Sequence, residues 1–545
     1  HQYEHYHYHC DLVIVGSGVS GLYAAELSAT QGLKVLLVEQ EDELGGSLLS
    51  DQSSDQKIND LSTNEWKKKI LKNLKTKTNI KILKSTTLFA YMHYNYLLAI
   101  QDIDPNHGLK RKNNIRQMIW KIRAKKVILA TGAIERPLTF DNNDRPGIML
   151  SSSASKYLNY YGVKLANEIV VFTNNDSAYQ TAIDFHSKGI KVKAIIDVRS
   201  YAESDVINKV KSLGIKIFYN HAVINTSGRL KIKSIIINKI DEDIKKIIGK
   251  PIKLECDLLC VSGGWTPTVH LFTQSRGKLI YRDNDGAFIP NQSFQNTVSI
   301  GACNGTFLLD NILDETFIKI NNTLKDFKNY FEKKQEYKSK PSKINSHKNA
   351  WLIPSYKHIG KTKMFIDFQN DVTAKDIKVA LSEGFQSIEH VKRYTTTGMA
   401  TDQGKTSNIN ALGIISEITN KKISNLGTTT FRLPYTPVTF GAMAGRHIKE
   451  FFDVKRKTPM HSWHKNNNAL FEDVGQWKRA WYYPHSDENM YTAVNREVKA
   501  TRDSLGILDA STLGKIDIKG RDVTEFLNRI YTNAWSKLEI GKCRY

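Results

Sequence analysis

Three glycines near the amino end have the spacing that dinucleotide-binding folds use. Gly16, Gly18 and Gly21 follow a short apolar run, and an apolar helical pattern comes next. In such folds the first glycine permits a tight turn, the second lets the backbone approach a pyrophosphate, and the third packs the helix on the strand. A second apolar run ends at Glu39, whose carboxylate can accept hydrogen bonds from a ribose. The pattern predicts a Rossmann-type dinucleotide site.

Two further stretches carry signals of the same kind. Residues 44–47 read LGGS, and glycines there would let the chain pass close to a cofactor. Residues 126–133 read KVILATGA, an apolar strand followed by Thr-Gly. This pattern is typical of the strand that returns beneath the cofactor in two-dinucleotide flavoproteins. The chemistry of these residues suits NAD and FAD equally, so the sequence leaves that choice open.

A second nucleotide-type unit begins at residue 168 with strand, turn, helix and strand patterns in the same order. Its turn, residues 173–177, reads TNNDS and contains no glycine. Without glycine the backbone cannot approach a pyrophosphate closely, and Asp176 would repel a phosphate. We interpret this unit as an inserted Rossmann-like domain without a tight dinucleotide site.

The composition excludes several classes of protein. The chain has 545 residues with a formal net charge of +23, but its lysines are scattered rather than gathered into one stripe. We therefore favour a solvated basic surface over a nucleic-acid or acidic-membrane binder. No apolar run is long enough to span a bilayer. Five cysteines form no CxxC pair, which indicates a reducing compartment, and we expect a cytoplasmic protein without a disulfide framework.

Long, unusual strings link the chain to one family. It resembles the alpha subunits of heterotetrameric, tetrahydrofolate-linked sarcosine oxidases. The strings that carry the resemblance are ATGAIERPLTFDNNDRPGIML, TNNDSAYQTA, VSGGWTPTVHLFTQS, FIDFQNDVTAKDI, EHVKRYTTTGMATDQGKTSN, GTTTFRLPYTPVTFGAMAGRH, FEDVGQWKRAWYYP and LDASTLGKIDIKG. Subunits of this family normally begin with a ferredoxin-like segment and continue well past the equivalent of residue 545. The resemblance therefore implies that both ends of the subunit lie outside this chain.

The resemblance implies a set of cofactors and partners. NAD would lie on this chain, FAD on the beta subunit, and FMN at the interface with beta. Tetrahydrofolate would bind the full-length alpha subunit, and gamma and delta subunits would complete the complex. The implied reaction is the oxidative demethylation of sarcosine to glycine, with oxygen reduced to hydrogen peroxide. The one-carbon unit would pass to tetrahydrofolate, giving 5,10-methylenetetrahydrofolate, or leave as formaldehyde.

Carried over residue by residue, the resemblance also predicts the dinucleotide contacts and favours NAD among the two candidates. These contacts are Gly16, Gly18, Gly21, Glu39, Gln40, Gly45, Gly46, Ser47, Thr131 and Gly132.

The predicted fold class is α/β, a two-dinucleotide-binding-domain flavoprotein-like fold with an inserted Rossmann-like domain and two smaller units. We expect a linker at 1–10, a dinucleotide-binding domain at 11–166 and 269–320, the insertion at 167–268, and a second linker at 321–360. A helical module at 361–455 would resemble bacterioferritin-associated ferredoxins. Residues 456–545 would begin a T-protein-like folate domain, with a strand at 515–518.

The helical module departs from its relatives at the positions where they bind an iron–sulfur cluster. Relatives in amine- and opine-oxidising complexes have cysteines as C-x-C and C-x4-C, where this chain has Asp367, Gln369, Asp402 and Ser407. Iron–sulfur clusters are held by thiolates, so we predict no cluster in this module and no other metal site.

The same module contains a set of anion-friendly residues. A Walker A loop requires four residues between its first glycine and Gly-Lys, but five separate Gly398 from Gly404, so we predict no ATP site. We expect instead either a solvated helix end or a contact with interfacial FMN. The candidate FMN contacts are Lys392, Arg393, Gln403, Lys405, Thr406 and Ser407.

The sequence predicts no catalytic residue. No Ser-His-Asp, metal or paired-carboxylate pattern has a convincing spacing, and the hydride chemistry would belong to another subunit. Two alternatives remain open, namely an alpha subunit of a related amine, opine or proline dehydrogenase complex and a non-catalytic scaffold that holds cofactors. A self-contained flavin disulfide reductase is disfavoured because the chain lacks a redox cysteine pair.

Overall fold

A computed structural model describes residues 2–51, 56–103, 115–328, 330–331, 334–341 and 347–544. It divides into two compact units, residues 1–445 and 446–545. Residues 2–150 contain these strands and helices: β1 (Gln2–Val15), α1 (Val19–Thr30), β2 (Val35–Val38), β3 (Lys57–Ile58), β4 (Leu61–Ser62), α2 (Thr63–Lys75), β5 (Ile80–Leu83), β6 (Thr86–Met92), β7 (Tyr96–Asp102), β8 (Ile115–Leu129), β9 (Ala133–Glu135) and β10 (Ile148–Leu150).

The next stretch contains the inserted domain and the return to the first one. Its elements are α3 (Ser151–Asn159), β11 (Glu168–Thr173), α4 (Ser177–Ser187), β12 (Lys191–Asp197), α5 (Asp205–Ser212), β13 (Ile217–Tyr219), β14 (His221–Ser227), β15 (Ser234–Ile240), β16 (Ile247–Glu255), β17 (Leu258–Ser262), β18 (Trp265–Pro267), α6 (His270–Gln274), β19 (Lys278–Arg282), β20 (Ala287–Gln292), β21 (Thr297–Ser299) and α7 (Leu309–Leu324).

Two open sheets position the functional groups. The first has the order β5-β2-β1-β8-β7-β6, with β21 also paired to β8. Strands β1, β2, β5, β8 and β21 run parallel, so their carboxyl ends meet at one edge. The second sheet, β10-β17-β11-β12-β13, is parallel throughout and belongs to the insertion. The pairing of β1 with β8 confirms that the predicted return strand at 126–133 joins the first sheet.

The prediction of a linker at residues 1–10 was wrong. Strand β1 starts at Gln2 and pairs with β8 along its whole length. The alternating His and Tyr residues have the period of two that a strand requires, although their polarity suggested a loop. Tyr6 packs on Trp120 of β8 at 4.7 Å between ring centres, and His5 Nε2 lies 2.8 Å from the carbonyl of Ala442.

The predicted linker at 321–360 is likewise part of the packed structure where it is described. Helix α7 extends to Leu324 and packs on α1. Tyr337 is fully buried, with its ring edge-on to Tyr23 at 5.0 Å and to Trp66 at 5.5 Å. Few apolar residues occur in this charged stretch, but single aromatic rings are enough to fix it because each buries a large apolar area.

A small helical module completes the first unit. It consists of β22 (Phe365–Asp367), β23 (Val372–Thr373), α8 (Ala374–Ser382), α9 (Ile388–Thr395), α10 (Asn408–Thr419), α11 (Ile423–Leu426) and α12 (Phe440–Ala444). Helix α8 begins with a capping box formed by Thr373 and Asp376. Trp351 lies against Gly413 of α10, where an added Cβ would approach the indole ring to 2.1 Å. The module is thereby packed on the preceding segment.

The second unit contains β24 (Arg456–Lys457), α13 (His461–Asn466), β25 (Leu470–Val474), β26 (Trp477–Tyr482), α14 (Met490–Asp503) and α15 (Val523–Ile530). The predicted strand at 515–518 is absent from the described residues, which are irregular there. Asp509 forms an ion pair with His464 at 2.8 Å and accepts a hydrogen bond from the Ser511 N–H. Many large apolar side chains of this unit are exposed, including Ile507 and Ile516.

Candidate dinucleotide site

A cleft of about 1800 Å³ opens at the carboxyl ends of the parallel strands of the first sheet. Ligands of open α/β sheets bind at this edge. Of the ten predicted contacts, the eight that line the cleft are Gly16, Gly18, Glu39, Gln40, Gly46, Ser47, Thr131 and Gly132. The sequence signal therefore located the cleft, and the fold brings together residues that are more than 110 positions apart.

Each fingerprint glycine has a distinct physical reason to be glycine. Gly16 has a φ of +100°, and an added Cβ would lie 2.3 Å from the carbonyl oxygen of Ala130. At Gly21 an added Cβ would lie 1.9 Å from the carbonyl oxygen of Gly16, so this residue lets α1 pack on the turn. At Gly18 a Cβ would meet nothing within 4 Å, because the position faces open space in the cleft.

Glu39 is held in the cleft by hydrogen bonds from the fingerprint turn. Its Oε2 accepts bonds from the backbone N–H and the hydroxyl of Ser17, at 2.9 and 2.6 Å. Its Oε1 accepts one bond from the backbone of Glu41, which leaves lone pairs for a further donor. The Ser17 hydroxyl also accepts from the Gly45 N–H, so Gly45 supports the site from behind the cleft wall. Ser17 was not among the predicted contacts, although it stands between two fingerprint glycines.

The opposite wall of the cleft comes from a part of the chain in which the sequence predicted no cofactor contact. The Thr131 hydroxyl donates to the carbonyl of Thr268 at 2.8 Å, and the Thr268 N–H donates to the carbonyl of Gly132 at 3.0 Å. These two bonds fix the loop before α6 at the end of β8. His270 and Leu271, at the start of α6, consequently line the cleft.

The six candidate FMN contacts differ in their surroundings. Only Lys405 lines the cleft among the six. Arg393 pairs with Glu389 of its own helix at 3.2 Å, and the Gln403 side chain donates to the carbonyl of Ala400. Lys392 lies beside Glu389 on the same helix α9, while Thr406 is half-buried and Ser407 is buried. Of the six, Lys405 reaches the dinucleotide cleft, and the assignment of the set to interfacial FMN stays a prediction.

Charged side chains fill the turn of the second Rossmann-like unit. Arg199 donates to Asp176 at 2.5 Å and to Asp197 at 2.7 Å, and all three residues are buried. Burial opposes the charge of Arg199, but hydrogen bonds and charges from the two aspartates outweigh it and raise the pKa of the guanidinium. The Tyr179 hydroxyl donates to Asp197 as well. The charged side chains of this turn are thus paired with one another.

Three of the four positions that carry cluster cysteines in relatives hold the helical module together through hydrogen bonds. Asp367 is buried, and its carboxylate accepts from the N–H groups of Gly398 at 2.6 Å and Gln369 at 2.9 Å. The Gln369 side-chain oxygen accepts from the Asp402 N–H at 3.1 Å. Asp402 in turn accepts from the Gly404 N–H. These oxygen atoms tie the loop at 396–407 to the β22–β23 hairpin.

We expect Asp367→Ala to loosen this loop. The change leaves the buried N–H of Gly398 without its acceptor, at a cost of about 1–3 kcal/mol in the stability of the module. Hydrogen exchange over residues 396–407 should accelerate, and the midpoint of thermal unfolding should fall. Glu383→Ala, at an exposed position of the same module, is the matched control and should change neither. Equal protection of the loop in Asp367→Ala would contradict the assigned role.

No group of three or more His, Cys, Asp and Glu side chains among the described residues has the arrangement of a metal site. Among the helices of the described ranges, none combines the length and the apolar character needed to cross a bilayer.

The fold and the cleft define a class. Parallel strands, a glycine fingerprint and an acidic residue at the end of β2 form a dinucleotide-binding α/β fold of the oxidoreductase type. Residues 10–299 match the family model "Pyridine nucleotide-disulphide oxidoreductase", and the chain belongs to this family. Residues 361–446 match "Sarcosine oxidase A3 domain", and residues 460–545 match "GCVT N-terminal domain".

Curated relatives extend the likeness over the whole chain. The chain is 40% identical to sarcosine oxidase subunit alpha of Corynebacterium sp. (strain P-1), over 100% of this chain and 56% of that protein. It is 36% identical to the subunit of the same name from Rhizobium meliloti (strain 1021), over 98% of this chain and 53% of that protein. The chain is thus a homologue of sarcosine oxidase alpha subunits and spans about half the length of the relatives it matches.

A solved structure shares the fold. The L-proline dehydrogenase from P. horikoshii matches with a TM-score of 0.59 and 21% sequence identity, over 82% of this chain and 81% of that chain. The agreement supports the mixed α/β architecture predicted from the sequence.

Proposed function

We propose that this chain is the dinucleotide-holding part of the alpha subunit of a sarcosine oxidase. The single observation that carries the proposal is the 40% sequence identity to a sarcosine oxidase alpha subunit over the entire chain. The cleft with the glycine fingerprint is consistent with it. In the proposed complex, sarcosine, oxygen and water give glycine, formaldehyde and hydrogen peroxide. With tetrahydrofolate present, the one-carbon unit goes to 5,10-methylenetetrahydrofolate instead. The beta, gamma and delta subunits are the proposed partners.

The cleft fits a dinucleotide on structural grounds. The open space at Gly18 admits a pyrophosphate, and the free lone pairs of Glu39 can accept a ribose hydroxyl. NAD is the proposed occupant of this chain, with FAD on the beta subunit and FMN at the interface with it. When bound, NAD supplies a ring that accepts or donates hydride. This chain would bind and orient it, and Thr131, Gly132 and Thr268 would form the wall beside the ring.

The nucleotide is tested by its release from the purified chain. Heat-denaturing the chain and identifying the released compound by mass spectrometry should give NAD. Release of FAD from this chain alone would overturn the NAD assignment but leave the dinucleotide cleft intact. Release of no adenine nucleotide, together with no binding of added NAD or FAD, would overturn the cleft assignment itself.

The reaction is tested on the complex purified with its own subunits. Sarcosine should yield equal amounts of hydrogen peroxide and glycine, and added tetrahydrofolate should lower the amount of free formaldehyde. L-Proline serves as the comparison substrate because of the shared fold with a proline dehydrogenase. Turnover of proline without turnover of sarcosine would contradict the proposed substrate. Peroxide from sarcosine with this chain alone would contradict the division of labour among subunits.

A further inference from the structure

Lys405, a charged residue of the helical module, lines the dinucleotide cleft. Lys405 lines the cleft together with His270, although the two residues are 135 positions apart. Its Nζ lies 4.7 Å from the centre of the Tyr435 ring, and that ring is stacked on His270 at 4.1 Å with an interplanar angle of 22°. A cation, an imidazole and an aromatic ring therefore form one group at the cleft wall.

Apart from the contact of Lys405 with the Tyr435 ring, neither polar side chain of this group has a hydrogen-bond or ion-pair partner among the described residues. His270 is only 8% exposed, and its Nδ1 has no hydrogen-bond partner in the structure. Burial, assisted by the charge of Lys405, lowers the pKa of His270 to about 3, so its imidazole is neutral at physiological pH. Burial also lowers the pKa of Lys405, and no carboxylate of the described residues forms an ion pair with it. Buried polar atoms without partners are uncommon and call for a ligand or water.

The sheet topology decides which end of a dinucleotide lies here. Strands β2 and β8 flank β1 on opposite sides. Glu39 follows β2 and fixes the adenosine ribose there, while Gly16 and Gly18 at the end of β1 take the pyrophosphate. The other half of the molecule must then cross to the end of β8, where Thr131 is bonded to the loop that carries His270. A smaller cavity of about 40 Å³ adjoins His270, Lys405 and Tyr435 and is otherwise mostly apolar.

We propose that Lys405 and His270 form the subsite for the carbonyl-bearing edge of the ring at the distal end of the bound dinucleotide. The Lys405 ammonium donates to a ring carbonyl, and His270 Nδ1 bonds a second polar atom of the same edge. In NAD this edge is the nicotinamide carboxamide, and in FAD it is the pyrimidine end of the isoalloxazine. The inference rests on the proposed dinucleotide function and names specificity-determining residues for it. It also separates Lys405 from Lys392 and Arg393, with which the sequence grouped it.

The test compares ligands with and without the ring on the full 545-residue chain. ADP-ribose lacks the nicotinamide, so the ratio of its dissociation constant to that of NAD measures the contribution of the ring. Calorimetric titration should show that Lys405→Met and His270→Phe each reduce this ratio by about tenfold or more, the effect of one lost hydrogen bond to a charged or buried group. Binding of ADP-ribose should stay unchanged in both variants. Lys375→Met and His390→Phe, at exposed positions of the same module, are the matched controls.

The outcomes separate this inference from the proposed function. Unchanged ratios in both variants, with normal binding of NAD, would overturn the subsite and leave the dinucleotide site standing. If the wild-type chain binds FAD rather than NAD, the ratio of the dissociation constant of ADP to that of FAD is measured instead. A lower ratio in Lys405→Met would support the subsite for a flavin. Equal weakening of ADP-ribose and NAD would also overturn it, because the effect would then be a general distortion of the cleft.

Discussion

Gly18→Val is expected to abolish dinucleotide retention while leaving the fold intact. A side chain at this position extends into open cleft space, where the pyrophosphate must approach the backbone. The backbone dihedrals of Gly18, φ −66° and ψ −171°, are accessible to any residue, so valine introduces no strain. We expect the dissociation constant for NAD or FAD to rise by about a hundredfold, which corresponds to the loss of roughly 2.7 kcal/mol of binding free energy.

The measurement is a titration of the nucleotide-free chain, with the thermal unfolding midpoint recorded without ligand. Gly514→Val is the matched control, since Gly514 lies in the second unit, has no contact within 4 Å of an added Cβ and is outside the cleft. Gly21→Ala is a second comparison, in which stability rather than binding should be lost. The added Cβ would collide with the Gly16 carbonyl, so we expect this substitution to unfold the first domain. Wild-type affinity in Gly18→Val would mean that the nucleotide binds elsewhere.

Arg136→Met is expected to cause a large loss of stability in the first unit. Arg136 is buried, and burial lowers its pKa to about 10. It donates to the carbonyls of Gly263 at 2.8 Å, Trp265 at 3.1 Å and Asp285 at 3.1 Å. Its guanidinium thus joins the loop after β9, the end of the inserted domain and the β19–β20 hairpin. Methionine fills a similar volume but removes the guanidinium donors from these carbonyls, of which Gly263 keeps a bond from the Asn174 side chain at 3.3 Å; we expect a cost of about 3 kcal/mol.

Urea unfolding of the full chain, followed by far-ultraviolet circular dichroism, should show a lower midpoint for Arg136→Met. Arg229→Met, at an exposed loop position, is the control and should unfold as the wild type does. Since Arg136 is outside the cleft lining, binding of ADP-ribose at temperatures well below unfolding should persist. An unchanged midpoint would show that water replaces the guanidinium at these carbonyls.

The candidate site was largely visible in the sequence because its main signals are local. Three glycines lie within six residues: Gly16 permits the turn, Gly18 leaves space for a ligand and Gly21 allows close helix packing. Glu39 follows at the end of the next strand. The helix cap at Thr373 and Asp376 is likewise local. Such features depend on backbone sterics and hydrogen bonds between near neighbours, which the order of residues states directly.

The sequence predictions were wrong for segments whose structure depends on residues that are distant in the chain. The polar residues before Cys10 form a strand because β8, more than 100 residues later, offers them a paired edge. Tyr337 is part of the core because Tyr23 and Trp66 surround its ring. A charged, apolar-poor composition is a poor guide to either segment, because pairing and the burial of a few rings override it.

By itself the sequence determined the dinucleotide-type fold, and it predicted the phosphate turn and the acidic residue for the ribose. Only the tertiary structure decided that Lys405, rather than its neighbours in the sequence, reaches the cleft, and that His270 and Tyr435 accompany it. It also decided that Arg199 and its two aspartates close the turn of the inserted domain. The physical reason is the same in each case. Burial and charge pairing depend on which distant chain segments come into contact, and the local sequence does not reveal those contacts.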